Sequence, residues 1–118
     1  MIRRKHEMES EVRPNMRGGP GRVTITHYFK PPEFIAPVRL CAKMTLAPGA
    51  GVGLHDHAAE DEVYVILAGQ GLLDDGRVKT TVGAGDAILT GRGGQHAITN
   101  NGQENLEVMA FIATYPKN

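Results

Sequence analysis

The chain has no tryptophan, one cysteine, no net charge and no long apolar run, and each shortage removes a class of protein. A single cysteine, Cys41, cannot close an intrachain disulfide and fits a reducing compartment. The 13 basic residues balance 13 acidic ones, and no basic run exceeds Arg3-Arg4-Lys5. That leaves no electrostatic footprint for nucleic acid or for an anionic membrane surface. The longest uninterrupted apolar stretches, Val63 to Ala68 and Val108 to Ala113, fall far short of the roughly 20 residues that span a bilayer. The N-terminal residues Met1-Ile2-Arg3-Arg4-Lys5-His6-Glu7 carry no apolar segment of a secretion signal. The expectation is a soluble cytoplasmic protein with neither nucleic-acid nor membrane partners. At 118 residues, one domain with a modest core is the default, so one site has to carry the function.

Glycine is what the chain has in excess. Its 15 glycines are about twice the roughly 7% share of average proteins, and with proline they punctuate short apolar runs at residues 17–21, 47–51, 69–71, 83–85 and 91–94. The runs alternate. Val23, Ile25, His27 and Phe29 share one face of a strand while Thr24, Thr26 and Tyr28 share the other. Val38, Leu40, Ala42, Met44 and Leu46 face one way, with Arg39, Cys41, Lys43 and Thr45 opposite. Tyr64-Val65-Ile66-Leu67 is apolar on both faces, as in a strand covered on two sides or at an oligomer contact. Asp75-Gly76 and Asn100-Asn101-Gly102 each separate two such runs as hairpin turns. Only residues 4–12 permit a helix, and they are short and charged. Many short strands with glycine turns predict an all-β sandwich or barrel. Residues 1–22 form an arm ahead of a barrel over 23–118, either pairing with the sheet of a second subunit or lying as a tail.

Three of the five histidines stand in suggestive places. Residues i and i+2 of a strand point to the same side, so His55 and His57 can offer two imidazoles to one point. Glu60, Asp61 and Glu62 follow at once, and any of them could fold back to add an oxygen ligand. His96 arrives from a distant Gly93-Gly94-Gln95 bend. Three imidazoles and a carboxylate suit divalent first-row metals.

In this arrangement the chain resembles the cupin superfamily, whose first motif, G-x5-H-x-H-x4-E-x6-G, is filled by Gly49, His55, His57, Glu62 and Gly69. Gly85, Gly93, His96 and Asn100 fill the second, G-x5-P-x-G-x2-H-x3-N, with Gly91 where the family usually has proline. The 15-residue spacer, Gln70 to Ala84, and the stretch Met16-Arg17-Gly18-Gly19 are similar to those of small single-domain bacterial cupins grouped as oxalate-decarboxylase-like or phosphomannose-isomerase-like. The resemblance implies a double-stranded β-helix, a jelly-roll barrel with an N-terminal arm. It also implies one divalent metal (Mn, Fe, Ni or Zn) held in the lumen by His55, His57, Glu62 and His96. If Glu62 points inward, strand parity turns Tyr64 and Ile66 inward as well. Tyr64 is then a candidate catalytic group or a core tyrosine, and His27 reaches the pocket or closes the core edge. Arg39 and Lys43 are solvated, or, if their face lines the lumen, neutralise an acidic substrate. Gln95 is structural.

Functionally the resemblance implies an enzyme that acts on a small carboxylate or sugar-derived substrate by metal-assisted decarboxylation, isomerisation or enolisation. An iron- or nickel-dependent dioxygenase and a non-enzymatic small-molecule binding or sensing module are the alternatives. The expected partners are an anionic or sugar-derived small molecule and a second copy of the chain, as a homodimer.

Overall fold

The computed structural model describes residues 1–116. The fold is all-β, with no α-helix among the described residues: ten strands and three short 3-10 turns. The strands are β1 (Ser10–Pro14), β2 (Arg22–His27), β3 (Val38–Leu46), β4 (Gly51–Asp56), β5 (Glu60–Ala68), β6 (Gln70–Asp74), β7 (Lys79–Gly83), β8 (Ala87–Thr90), β9 (Gln95–Thr99) and β10 (Leu106–Thr114). A six-stranded sheet runs β1-β2-β3-β10-β5-β8 and a four-stranded sheet runs β4-β9-β6-β7. Every pairing is antiparallel. Period-2 alternation aims the apolar face of each long strand into the space between the sheets. Val23, Ile25, Met44, Leu46, Tyr64 and Ile66 are buried there, as the alternation predicts, together with Val52, Ile98, Leu106 and Val108.

The helix-permissive stretch is not helical: a 3-10 turn at Lys5–Glu7 leads into β1. Nine mostly charged residues cannot sustain the costly helix nucleus, whereas β2 offers a ready edge. β1 pairs with β2 of its own chain, Ser10 opposite Thr26 and Pro14 opposite Arg22. The foreseen hairpin at Asp75-Gly76 forms, joining β6 to β7; the turn at Asn100-Asn101-Gly102 makes no hairpin, because it carries the chain from β9 in the four-stranded sheet to β10 in the six-stranded one. In the first, the Asp74 carboxylate accepts from the Gly76 N–H and that of Asp75 from the Arg77 and Val78 N–H groups. In the second, buried Asn100 donates to the carbonyls of Leu46 and Glu104 and accepts from the Gly102 N–H.

Three register shifts break the pairing; one, in β5, leaves Leu67 without a partner between Ile66 opposite Val108 and Ala68 opposite Glu107, and the other two bear on the site. Val52 lies opposite Ile98 and His55 opposite His96, so Gly53 and Leu54 together face only Ala97. This β-bulge shifts side-chain parity by one. Val52 can therefore point into the core while His55 and His57 also point inward, and Leu54 stands 47% exposed. The second bulge, in β3, leaves Arg39 without a partner between Ile112 opposite Leu40 and Ala113 opposite Val38.

The first bulge needs its glycine. A Cβ on Gly53 would lie 2.1 Å from the Arg17 carbonyl oxygen, because the 3-10 turn at Met16–Gly18 lies directly on the β4 backbone. Gly91, where the family motif has proline, has a similar cause: its Cβ would fall 1.9 Å from an Asp61 carboxylate oxygen. That oxygen accepts a 2.6 Å hydrogen bond from Tyr115, whose hydroxyl in turn accepts from the Arg92 N–H. Neither backbone contact at Gly53 can relax by moving a side chain end. Gly53→Ala is therefore expected to lower the unfolding free energy by about 2–3 kcal/mol in urea denaturation, and a change below about 0.5 kcal/mol would contradict the packing described.

Candidate metal centre

His55, His57, Glu62 and His96 come together at one end of the barrel lumen. Their ligand atoms all lie within 4.8 Å of one another. The site spans both sheets: His55 and His96 are a directly opposed cross-strand pair on β4 and β9, and Glu62 projects from β5. His57, just past β4, is fixed by two backbone bonds to the glycine turn, from its N–H to the Gly94 carbonyl and from the Gly93 N–H to its carbonyl, each 3.0 Å. Glu62, His57 and His96 are buried and His55 is half-buried.

Each imidazole is held from behind through Nδ1. His55 Nδ1 donates to the Gly53 carbonyl at 2.7 Å, so the bulge that aims this ring also sets its tautomer. His57 Nδ1 lies 2.7 Å from Glu60, a carboxylate held down at about 2 by the Arg39 guanidinium first and by His57 after it. Such a carboxylate can only accept, so His57 carries its proton on Nδ1. His96 Nδ1 is bonded to the Thr90 hydroxyl at 2.9 Å, from the residue directly opposite Glu62 on β8. With the Nδ1 atoms occupied, the Nε2 atoms are left to converge. His57 Nε2, His96 Nε2 and Glu62 Oε1 are mutually 2.9 Å apart.

That triangle decides how well the residues fit a metal. With the proton of His57 on Nδ1, its Nε2 presents a lone pair to a second imidazole nitrogen and to a carboxylate oxygen. With the proton of His96 likewise on Nδ1, donated to the Thr90 hydroxyl, three acceptors at hydrogen-bond distance in a buried site are mutually repulsive unless positive charge lies between them. Protons can supply part of that charge, and a divalent cation supplies it all. The donor set, three imidazoles and one carboxylate, suits a first-row transition ion. Burial, reinforced by the neighbouring His96, His57 and Arg17, lowers the His55 pKa and favours the neutral ring that ligation requires.

The cavity beside the cluster has a volume of about 560 Å³. Tyr64 lines it and stacks on His96, with centroids 4.6 Å apart and planes at 13°. Burial, then the Glu62 carboxylate, pushes its phenol well above the ordinary value. His27 also reaches the cavity wall; its Nε2 is 3.1 Å from Glu11, and its Nδ1 is buried without a partner. Arg39 touches the rim, but two 2.7 Å hydrogen bonds commit its guanidinium to Glu60. Lys43 is not on the cavity wall. It stands on the outer face of β3, 3.7 Å from Glu107, because parity there turns alternate residues away from the lumen. Gln95 points outward and is exposed.

Sequence reasoning named Glu60 only as a possible oxygen ligand and gave no role to Thr90 or Arg17. Glu60 was visible as one of three acidic residues after His57, and its separation of two from Glu62 places both on one face. Nothing local marks Thr90, whose role follows from pairing β8 with β5.

Residues 42–112 match the Cupin domain family. The oxalate-binding protein of Thermotoga maritima is 40% identical over 112 residues, covering 95% of this chain and 93% of that protein. The crystal structure of a predicted oxalate decarboxylase from Thermotoga maritima superposes with a TM-score of 0.92 at 39% identity, covering 97% of this chain and 99% of that one. The polyketide cyclase RemF from Streptomyces resistomycificus shares the fold, with a TM-score of 0.76 at 19% identity, covering 98% of this chain and 81% of that one. The chain belongs to the cupin family.

Glu60 holds a candidate ligand histidine from behind, and substitution behind a metal ligand typically costs 10–100-fold in metal affinity. Glu60→Gln is expected to weaken Mn(II) binding by about that factor while keeping one ion per chain, read by competitive titration against a chelating dye. Unchanged affinity would show that the Glu60–His57 bond plays no part in metal uptake.

Proposed function

We propose that this cupin holds one divalent transition metal (Mn, Fe, Ni or Zn) on His55, His57, Glu62 and His96 and is an enzyme acting on a small carboxylate. The observation that carries this reading is the 2.9 Å triangle of His57 Nε2, His96 Nε2 and Glu62 Oε1, which a divalent cation would satisfy. A divalent ion there supplies a Lewis acid that polarises a carbonyl or enolate oxygen and orients a carboxylate, the chemistry shared by decarboxylation, isomerisation and enolisation. Three neutral imidazoles and one carboxylate leave a site charge of about +1, which favours an anionic ligand. The name of the Thermotoga maritima relative, oxalate-binding protein, points the same way.

The chain's own residues have separable tasks. Glu60, Thr90 and the Gly53 carbonyl orient the three rings. Ile25, Met44, Val52 and Ile112 make the cavity wall apolar and restrict water. Tyr64 and His27 are the wall groups beyond the ligand set, arginines aside, that can hold or move a proton. The outer face of β5 and β8, where Leu67 and Leu89 stand 43% and 71% exposed, supports pairing of two copies of the chain.

A second reading, a non-enzymatic binding module, is favoured by that same relative's name, which specifies binding and no reaction. The two are separated by incubating Mn(II)-loaded protein with oxalate and related small carboxylates and following substrate loss and product by NMR. The enzyme reading expects turnover that a chelator abolishes and that His57→Ala and His96→Ala lose. Saturable binding without turnover would leave the binding module. A wild-type chain that takes up no divalent metal would overturn both.

A further inference from the structure

Three arginines, Arg13, Arg17 and Arg39, line the cavity. Two of them are already neutralised: Arg39 by Glu60, and Arg13 by a 2.6 Å bond to Glu11. Arg17 has no carboxylate partner among the described residues, and its charge is near enough to act on both His55 and Tyr64. Its backbone is also unusual. At φ 54 and ψ 30 it is left-handed, a region that disfavours a residue with a side chain.

The surroundings over-determine that conformation. The Gly18 N–H donates to the Asn15 carbonyl and the Gly19 N–H to the Met16 carbonyl, each at 2.9 Å, and the Asn15 side chain donates to the Gly19 carbonyl at 3.2 Å. Met16 packs on the core. The Arg17 carbonyl rests where a Cβ of Gly53 would be, and Gly19 packs as closely against the backbone of Gly51 and Gly53. The turn is therefore mounted on the same bulge that aims His55. A free guanidinium at the cavity mouth thus shares a rigid base with the candidate metal ligands.

We propose that Arg17 is the second anion-binding group of the site, and that the ligand class is a short dianion with one carboxylate at the metal and the other on the Arg17 guanidinium. This rests on the metal-site reading above. A guanidinium presents a planar fork of donors that matches a carboxylate in two hydrogen bonds. With the metal site near +1 and Arg17 adding a further unit, the cavity charge of about +2 matches a dicarboxylate rather than a monocarboxylate.

The test is isothermal titration of Mn(II)-loaded protein with oxalate, malonate and acetate, for wild type, Arg17→Gln and Arg17→Lys. Arg17→Gln is expected to weaken oxalate and malonate by about tenfold or more, to leave acetate and Mn(II) affinities within about twofold, and Arg17→Lys is expected to recover part of the loss. Arg17→Gly, whose backbone accepts positive φ freely, replaces Arg17→Gln should the latter unfold. Dianion affinity unchanged in Arg17→Gln, acetate weakened as much as oxalate, or wild type that binds Mn(II) but no dicarboxylate would each overturn the role of Arg17 alone. Failure of wild type to bind Mn(II) would instead overturn the metal-site reading and this inference with it.

Discussion

The bulge at Gly53 and Leu54, which gives β4 one residue more than its partner strand, is the feature on which the rest of the site depends. A regular strand would leave Val52 and His55 on opposite faces, since residues three apart alternate. Either the core would lose Val52 or the cluster would lose His55. The bulge allows both, and its Gly53 carbonyl also receives the His55 Nδ1 proton. The same glycine seats the turn that carries Arg17. Core packing, ligand direction, tautomer and the position of a cavity arginine thus converge on one irregularity.

The centre also ties the two sheets together. His55 and His96 belong to the four-stranded sheet, while Glu62 and Thr90 face each other on the six-stranded one. Behind the cluster, the chain Arg39–Glu60–His57 ends at the outer rim of the barrel. Breaking a buried, hydrogen-bonded polar network costs more than leaving it intact gains. The rear partners are therefore best understood as orienting groups that keep lone pairs pointed at one volume. The apolar contacts between the sheets supply the stability that holds so many acceptors together.

Much of this was legible in the chain, for physical reasons that can be named. Strand parity placed Val23, Ile25, Ala42, Met44, Leu46, Tyr64 and Ile66 inward because the pairing is in register over those residues. The spacing of His55, His57, Glu62 and His96 pointed to the cluster because a motif's register survives the details of folding. Parity failed at the bulges: Arg39, unpaired in β3, reaches the cavity rim yet is committed to Glu60 rather than free for a substrate. Lys43, in regular strand, stays outside. Gly91 reads as a departure from the family pattern only until Asp61 and Tyr115 are seen to fill the space a proline would need. Such long-range contacts leave no local trace, and neither does the pairing of residues 10–14 with β2.

The central claim is that three rings are pinned through Nδ1 so that their Nε2 lone pairs converge on one cation. Long-range 1H–15N correlation NMR of the histidine side chains, recorded with and without one equivalent of Zn(II), examines it directly. The expected result is that His55, His57 and His96 carry protons on Nδ1 and that their Nε2 resonances alone shift to metal-bound values, with His6 and His27 unchanged. Zn(II) that leaves the three Nε2 resonances unmoved, or that shifts Nδ1 instead, would contradict it.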